Sequence, residues 1–359
     1  AAGCSEEEAT RIAYSLVKAN LCGHDSHGVI RVALYLRHMR EGEVVPGQSL
    51  TVISENEVMA VVDGNYGFGQ TIGTQAVRLG VDKAVTNGVS IIALRNSGHL
   101  GRIGEWSEMA AAADQISVHF VNAAGAVLVA PFGGVERRMS TNPVAIGVPA
   151  PDRGPPLILD FATAVVAGGK AMVAAKGGKK LPEDSLIDGD GRPTSDPMVI
   201  FNWDDSTRAL ALRKGPGAIR AIGEYKGSGL SFMCEMLAGA LTGSGCSGPD
   251  RRRLANGMLS IYMAPEVFDS DDRFAAQVRE YVDFFKSAKP AAPDGEVLTP
   301  GEPEQRMRER RLAEGIDVPD PVWQTILQSA GDVGMSPREI DAAIGGAHPA
   351  AEPGSEGRT

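Results

Sequence analysis

Aromatic side chains are scarce in this chain, at 5% of 359 residues, and no run approaches the ~18 consecutive apolar residues that a membrane span requires. The N-terminus also lacks the apolar stretch of a secretory signal, so a cytoplasmic protein with no membrane partner is expected. Basic residues are not in excess: 35 Lys and Arg face 45 Asp and Glu, a formal net charge of −10. That balance argues against a nucleic-acid partner. Only four cysteines occur (Cys4, Cys22, Cys234 and Cys246), without a C-x-x-C pair or zinc-ribbon spacing. Their scatter argues against a disulfide framework and fits free thiols in a reducing compartment. An initiator Met is absent, so a trimmed N-terminus is expected, and there is no internal repeat.

The common nucleotide signatures are missing too. The string G-x-G-x-x-G occurs only as GSGCSG at 243–248, after a helical stretch rather than a strand, with Pro249-Asp250 behind it. A dinucleotide fingerprint needs strand, turn and helix in that order, so this segment reads as a helix-ending loop. No Walker A string occurs, which leaves neither a standard Rossmann nor a P-loop site.

What is present is an ordinary globular composition, 43% hydrophobic and 22% charged, long enough for two to three domains. Glycine is the exception, with 44 residues against an average nearer 7%. The glycines show no three-residue period, so they are expected in turns and in loops that approach a ligand closely. Ser5 with Glu8 reads as a capping box opening a helix that ends at Gly23. A second helix is expected from Ser26 to about residue 41. β-Branched runs at 58–62, 89–94, 116–121, 143–148, 157–160 and 258–263 predict strands. Helices are predicted at 69–86, 103–114, 227–242, 271–287, 320–331 and 337–344. The stretch 176–218 reads mainly as long loops, 288–303 as a Pro/Gly-rich crossing segment, and 348–359 as a disordered tail. This alternation makes the chain α/β or α+β. The expected division is an N-terminal helical segment 1–56, a central α/β domain 57–299, a C-terminal helical segment 300–347 packing with the first, and the tail.

Three segments carry residues suited to chemistry. In GHDSHG (23–28), continued to Arg31, a helix capped by Ser26 would put His27 and Arg31 on one face. An imidazole beside a guanidinium can move a proton while the cation clamps a carboxylate. A polar, capped helix start explains the cluster equally. A metal reading through His24, Asp25 and His27 lacks a further ligand at recognisable spacing, and no metal site is expected. In RNSGHLGRIG (95–104), a polar loop follows a strong strand and precedes a helix, placing His99 and Arg102 where sheet proteins bind ligands. An ordinary strand–helix loop accounts for the glycines but not for Asn96, Ser97, His99 and Arg102 together. In LILDFAT (157–163), Asp160 at a strand tip can orient a histidine or cap the next helix. Lys226 in YKG opens a helix at an anion-friendly position.

In this order, GHDSHG…R, NSGHLGRIG, APFGG, TNP, LDFAT, GDGRPTSDP, KGSGL and PGE make the chain resemble the type-2 malate/L-lactate dehydrogenase family from about residue 5 to 345. The resemblance implies a mixed α/β fold, with a largely antiparallel sheet and surrounding helices, that binds dinucleotides without a Rossmann motif. It also implies a homodimeric NAD- or NADP-dependent oxidoreductase on 2-hydroxy or 2-oxo acids, with cyclic imino acids as the substrates of some members. A metal-dependent hydrolase remains a remote alternative. By resemblance, His27 is the proton donor or acceptor with Ser26 and Asp160 as its relay, Arg31 holds the substrate carboxylate, and His99 competes for the acid/base role. Thr141 and Asn142 are implied substrate contacts. Implied cofactor contacts are His27, Gly101, Arg102, Ile103, Ile158, Leu159, Asp160, Phe161, Ala162, Tyr225, Lys226, Asn256, Gly301, Glu302, Pro303 and Glu304. The chain departs from the family pattern at Tyr225, where a His is usual, at Ser140 and at Thr163-Ala164, and a leading helix of the family is not expected in it.

Overall fold

Helix α1 (Glu6–Leu21) begins at the expected cap, with the Ser5 hydroxyl accepting the Glu8 N–H at 3.1 Å. The Glu8 carboxylate does not reach back to Ser5; it accepts the Gly47 N–H at 2.9 Å. The next segment differs from the expected single helix. Two 3-10 turns, Asp25–His27 and Val29–Arg31, precede a short α2 (Val32–Arg40). The break is caused by Asn20, whose carboxamide occupies the space beside Gly28 and accepts the Val29 N–H at 2.8 Å. A Cβ on Gly28 would lie 2.1 Å from that carboxamide oxygen, so any larger residue there must push the Asn20 side chain out of its contacts.

The structure is a computed structural model and describes residues 2–151, 154–175, 180–204, 209–212, 215–251, 253–269, 271 and 273–345. The expected tail and part of the expected 176–218 loops lie outside the described residues. After α2 come β1 (Thr51–Glu55), β2 (Met59–Asp63), α3 (Gly69–Asn87), β3 (Val89–Ser97), α4 (Gly104–Ala111), β4 (Ile116–Ala124), β5 (Val144–Val148) and β6 (Leu157–Phe161). Then follow α5 (Gly168–Ala175), β7 (Leu186–Ile187), β8 (Pro193–Thr194), β9 (Phe201–Asp204), β10 (Ala209–Leu212) and β11 (Ala218–Ile219). The chain continues with α6 (Tyr225–Cys234), which runs into a π-helical turn Glu235–Ala240, and with β12 (Ala255–Met263). Helices α7 (Pro265–Phe268), α8 (Phe274–Lys286), α9 (Glu302–Glu314), α10 (Asp320–Asp332) and α11 (Pro337–Gly345) complete the described chain.

Seven strands form one sheet in the order β1-β2-β3-β12-β4-β5-β6. Only β2 and β3, joined through α3, run parallel; the other neighbours are antiparallel. The expected largely antiparallel α/β sheet is therefore present. Its core packs Ile72, Ala76 and Val77 of α3 and Trp106 of α4 against Val62, Ile92, Leu94, Met258 and Tyr262. A second core gathers Leu128, Val129, Met139, Leu186, Ile200 and Ile219 beside the small sheet β11-β7-β8. A third joins Leu16, Tyr35, Val44 and Phe68 at the N-terminal helices, where α9 packs on α1 and α10 on α2. GSGCSG follows the π-helical turn and precedes β12, a loop as expected.

Candidate active site

The polar cluster at 23–31 divides into two halves. His24 Nε2 meets Glu304 Oε1 at 3.3 Å, and Asp25 receives Arg311 on both oxygens and Asn20 Nδ2 at 2.6 Å. These contacts seat α9 on the N-terminal segment and turn Asp25 away from His27. The hydrogen bond from His24 holds the Glu304 carboxyl below its ordinary range. The other half faces inward. Arg31 Nε donates to the Ser26 carbonyl at 2.6 Å, and among the described residues its guanidinium meets no carboxylate. Burial lowers its pKa, opposed only by the Tyr35 phenol.

The strand–helix loop brings His99 against this half. The rings of His27 and His99 stack with centroids 5.3 Å apart and planes 5° from parallel. Burial pushes both imidazoles well below their ordinary pKa of 6.5, and the Arg31 charge adds to it, so both are neutral near pH 7. They differ in their partners. His99 Nδ1 lies 2.8 Å from the Tyr35 hydroxyl, which in turn accepts from Gln70 Nε2 at 2.8 Å. His27 Nδ1 is out of contact with solvent and has no partner among the described residues. Neither Tyr35 nor Gln70 was legible as a site residue. Tyr35 follows Arg31 at the same spacing of four that separates His27 and Arg31, but sits in an apolar run; Gln70 opens α3 behind GFG.

Asp160 stands apart from His27. Its carboxylate accepts the Gly104 N–H at the start of α4, at 2.8 Å, and burial raises its pKa. Arg102 is buried and gives its guanidinium to Glu108 at 2.6 Å, which Lys18 also meets at 2.8 Å. The Ile158 N–H donates to the Pro300 carbonyl at 3.1 Å, which brings the 301–304 turn against β6. The side chains of Ile103 and Ile158 are in the core, whereas Leu159 is exposed. Asn256 lies under the loop, accepting the Leu100 N–H at 2.9 Å. The Ile222 N–H donates to the Thr163 carbonyl at 2.9 Å, tying the start of α6 to the end of β6 just past Phe161 and Ala162. Tyr225 and Lys226 open that helix, with Tyr225 exposed and edge-on to Phe132.

Asn142 is committed within the protein, whereas among the described residues only the main-chain carbonyl of Thr141 is engaged. The Thr141 carbonyl accepts from the Thr163 N–H and hydroxyl, both at 3.0 Å. Asn142 is fully buried; its Nδ2 meets Glu235 Oε1 at 3.0 Å and the Ser231 hydroxyl at 3.1 Å, and its Oδ1 accepts the Ala123 N–H. Glu235, in the π-helical turn, also receives Asn122 and Ser247, a buried network that sequence reading missed. Among the described residues no three His, Cys, Asp or Glu are grouped to hold a metal ion, and no helix is long and apolar enough to cross a membrane.

Comparison with known proteins places this geometry in context. A model of the malate/L-lactate dehydrogenase family matches residues 1–327. Hydroxycarboxylate dehydrogenase B of Escherichia coli (strain K12) is 36% identical over 348 residues, 95% of this chain and 92% of the relative. A solved putative malate/lactate dehydrogenase from E. coli superposes with a TM-score of 0.88 at 34% identity, covering 96% of this chain and 94% of that one. The Δ1-piperideine-2-carboxylate reductase of Pseudomonas syringae pvar. tomato superposes at 0.77 with 29% identity, covering 92% and 94%.

Proposed function

From the premise that the chain belongs to the malate/L-lactate dehydrogenase family, we propose that it interconverts a 2-hydroxy acid and a 2-oxo acid with NAD or NADP. The observation that carries this reading is the Arg31 guanidinium, which has no carboxylate partner among the described residues and stands beside two neutral histidines. A half-buried cation without a counter-charge favours an anion, and a planar carboxylate matches the guanidinium fork. Clamped there, a 2-oxo acid presents its C2 oxygen to an imidazole.

Of the two histidines, His99 suits proton exchange with that oxygen, because a second group orients its ring. The sequence reading favoured His27 with Ser26 and Asp160 as relay. Among the described residues Asp160 accepts from Gly104 through one carboxylate oxygen and has no hydrogen bond to His27. His27, whose Nδ1 is covered by protein and has no orienting partner among the described residues, would contact the nicotinamide only as the family resemblance implies. Residues 101–103, 158–162 and 301–304, with Asn256, Tyr225 and Lys226, would hold the rest of the dinucleotide. When bound, the nicotinamide supplies or takes up the hydride. The protein's own residues fix the carboxylate, and the bound anion, by offsetting the Arg31 charge, would let the His99 ring take up a proton, so that giving its Nε2 hydrogen to the C2 oxygen returns the ring to neutral.

The same clamp and donor serve a cyclic imino acid, whose C=N stands where the C=O would. The likeness to the piperideine-carboxylate reductase supports this second reading. A homodimer belongs to the proposal as well, supported by the exposed apolar side chains Tyr281 and Phe284 on α8. The test is a panel of 2-oxo acids and cyclic imines, each assayed with NADH and NADPH; turnover confined to imines selects the second reading.

A further inference from the structure

Gln70 Nε2 lies 2.8 Å from the Tyr35 hydroxyl and 3.4 Å from the main-chain carbonyl of His99. A carbonyl oxygen only accepts, so the Gln70 atom facing it is the amide nitrogen. Turning the amide over would set two oxygens against each other. With a Gln70 N–H donated to Tyr35 Oη, the phenol hydrogen is directed to the acceptor on its other side, His99 Nδ1, at 2.8 Å. Nδ1 is then the lone-pair nitrogen, and the hydrogen of the neutral ring sits on Nε2.

We propose that Gln70, acting through Tyr35, is a positioning residue that holds His99 as the Nε2–H tautomer, set to donate to the C2 oxygen of the substrate. The role at C2 rests on the function proposed above; the tautomer itself does not. The surroundings keep the chain of donors rigid. Gln70 and Tyr35 are buried, at 1% and 5% exposure, and the Tyr35 ring packs against Phe68 and edge-on to His99, each at 5.9 Å between centroids. Gly69 brings the first turn of α3 onto the loop: a Cβ there would lie 2.2 Å from the His99 carbonyl oxygen. That close approach fixes the carbonyl that orients the Gln70 amide. A 2-oxo acid offers only lone pairs at C2, so a ring presenting a lone pair there would repel it, whereas one presenting N–H polarises it.

The test is a long-range 1H–15N spectrum of protein labelled with 15N-histidine, with the His99 signals assigned by their loss in His99→Gln. At neutral pH the wild type should show a protonated Nε2 and a bare Nδ1. In Gln70→Glu the carboxylate has no N–H to give and accepts the phenol hydrogen, so the pattern should invert. The kcat for 2-oxo acid reduction should then fall at least ~10-fold with KM nearly unchanged. Tyr35→Phe, which removes the link without adding charge, should give a mixture of both tautomers. A wild-type His99 protonated on Nδ1, or a Gln70→Glu spectrum like the wild type, overturns the proposal. The wild-type spectrum decides the tautomer even if Gln70→Glu fails to fold. If the protein reduces no 2-oxo acid, the spectrum still reads the tautomer, so that failure strikes the substrate assignment alone.

Discussion

His27 and His99 stack with their planes 5° from parallel, yet among the described residues His99 Nδ1 meets Tyr35 while His27 Nδ1 meets no partner. The asymmetry separates two roles that the sequence left in competition. A ring oriented from behind can hold a proton at a defined atom. The other ring has no such orienting partner among the described residues. Arg31 stands close enough for its charge to act on both rings, and it supplies the charge that an anionic substrate would neutralise.

Removing the orienting imidazole should therefore be the more damaging change. His99→Gln is expected to lower kcat by about 10²–10⁴, the usual worth of a positioned acid or base. His27→Gln should act mainly on KM for the cofactor. Steady-state kinetics on both variants check this, and a larger kcat loss in His27→Gln would reverse the assignment.

Arg31→Lys keeps the charge but loses the planar fork. The expected result is a rise in KM for the oxo acid and a loss of at least about 2 kcal/mol, ~30-fold in kcat/KM, with cofactor binding unchanged. Wild-type kcat/KM in Arg31→Lys would show that the carboxylate is held elsewhere.

Substrate binding should be linked to a proton. Burial and then the Arg31 charge depress both imidazoles well below 6.5, so the free site is neutral near pH 7. A carboxylate on Arg31 offsets that charge and raises both values. Bound protein then holds more protons than free protein as pH falls below the ordinary histidine value, and affinity should increase in that direction. Calorimetry of oxamate binding in two buffers of different ionisation heat should report proton uptake. Proton release, or none at any pH, contradicts the coupling.

Gly28→Ala tests the local break that aims Arg31 inward. Its Cβ would displace the Asn20 carboxamide, which also binds Asp25 and the Val29 N–H. A loss of about 1–3 kcal/mol in denaturant unfolding is expected, from an orphaned buried N–H. Asn20→Ala in the same background should add little, because the two changes remove one contact.

How far the sequence could be read follows from where the signal was local. The β-branched runs that became β2, β3, β4, β5, β6 and β12 were each visible, because buried strands concentrate apolar side chains. Strand β1 was missed since all five of its residues are exposed at the sheet edge. Helix α9 was missed because Met307 and Leu312 are nearly its only apolar residues; its limits were marked by Gly301, Pro303 and Gly315. At the site, polar residues next to one another, such as His27 with Arg31 and His99 with Arg102, were legible. Tyr35 and Gln70 were not, because they meet His99 only when α2 and α3 close on the same loop. Asn142, quoted from a polar turn, points into a buried network with Glu235 that no local pattern reveals.

The central claim is hydride exchange with a clamped 2-oxo or imino acid, and the consumption of NADH or NADPH by the purified protein tests it most directly. The account predicts substrate-dependent loss of reduced cofactor with at least one 2-oxo acid or cyclic imine, abolished in Arg31→Ala while cofactor binding persists. Absence of turnover across the full panel with both cofactors, or turnover undiminished in Arg31→Ala, would contradict it.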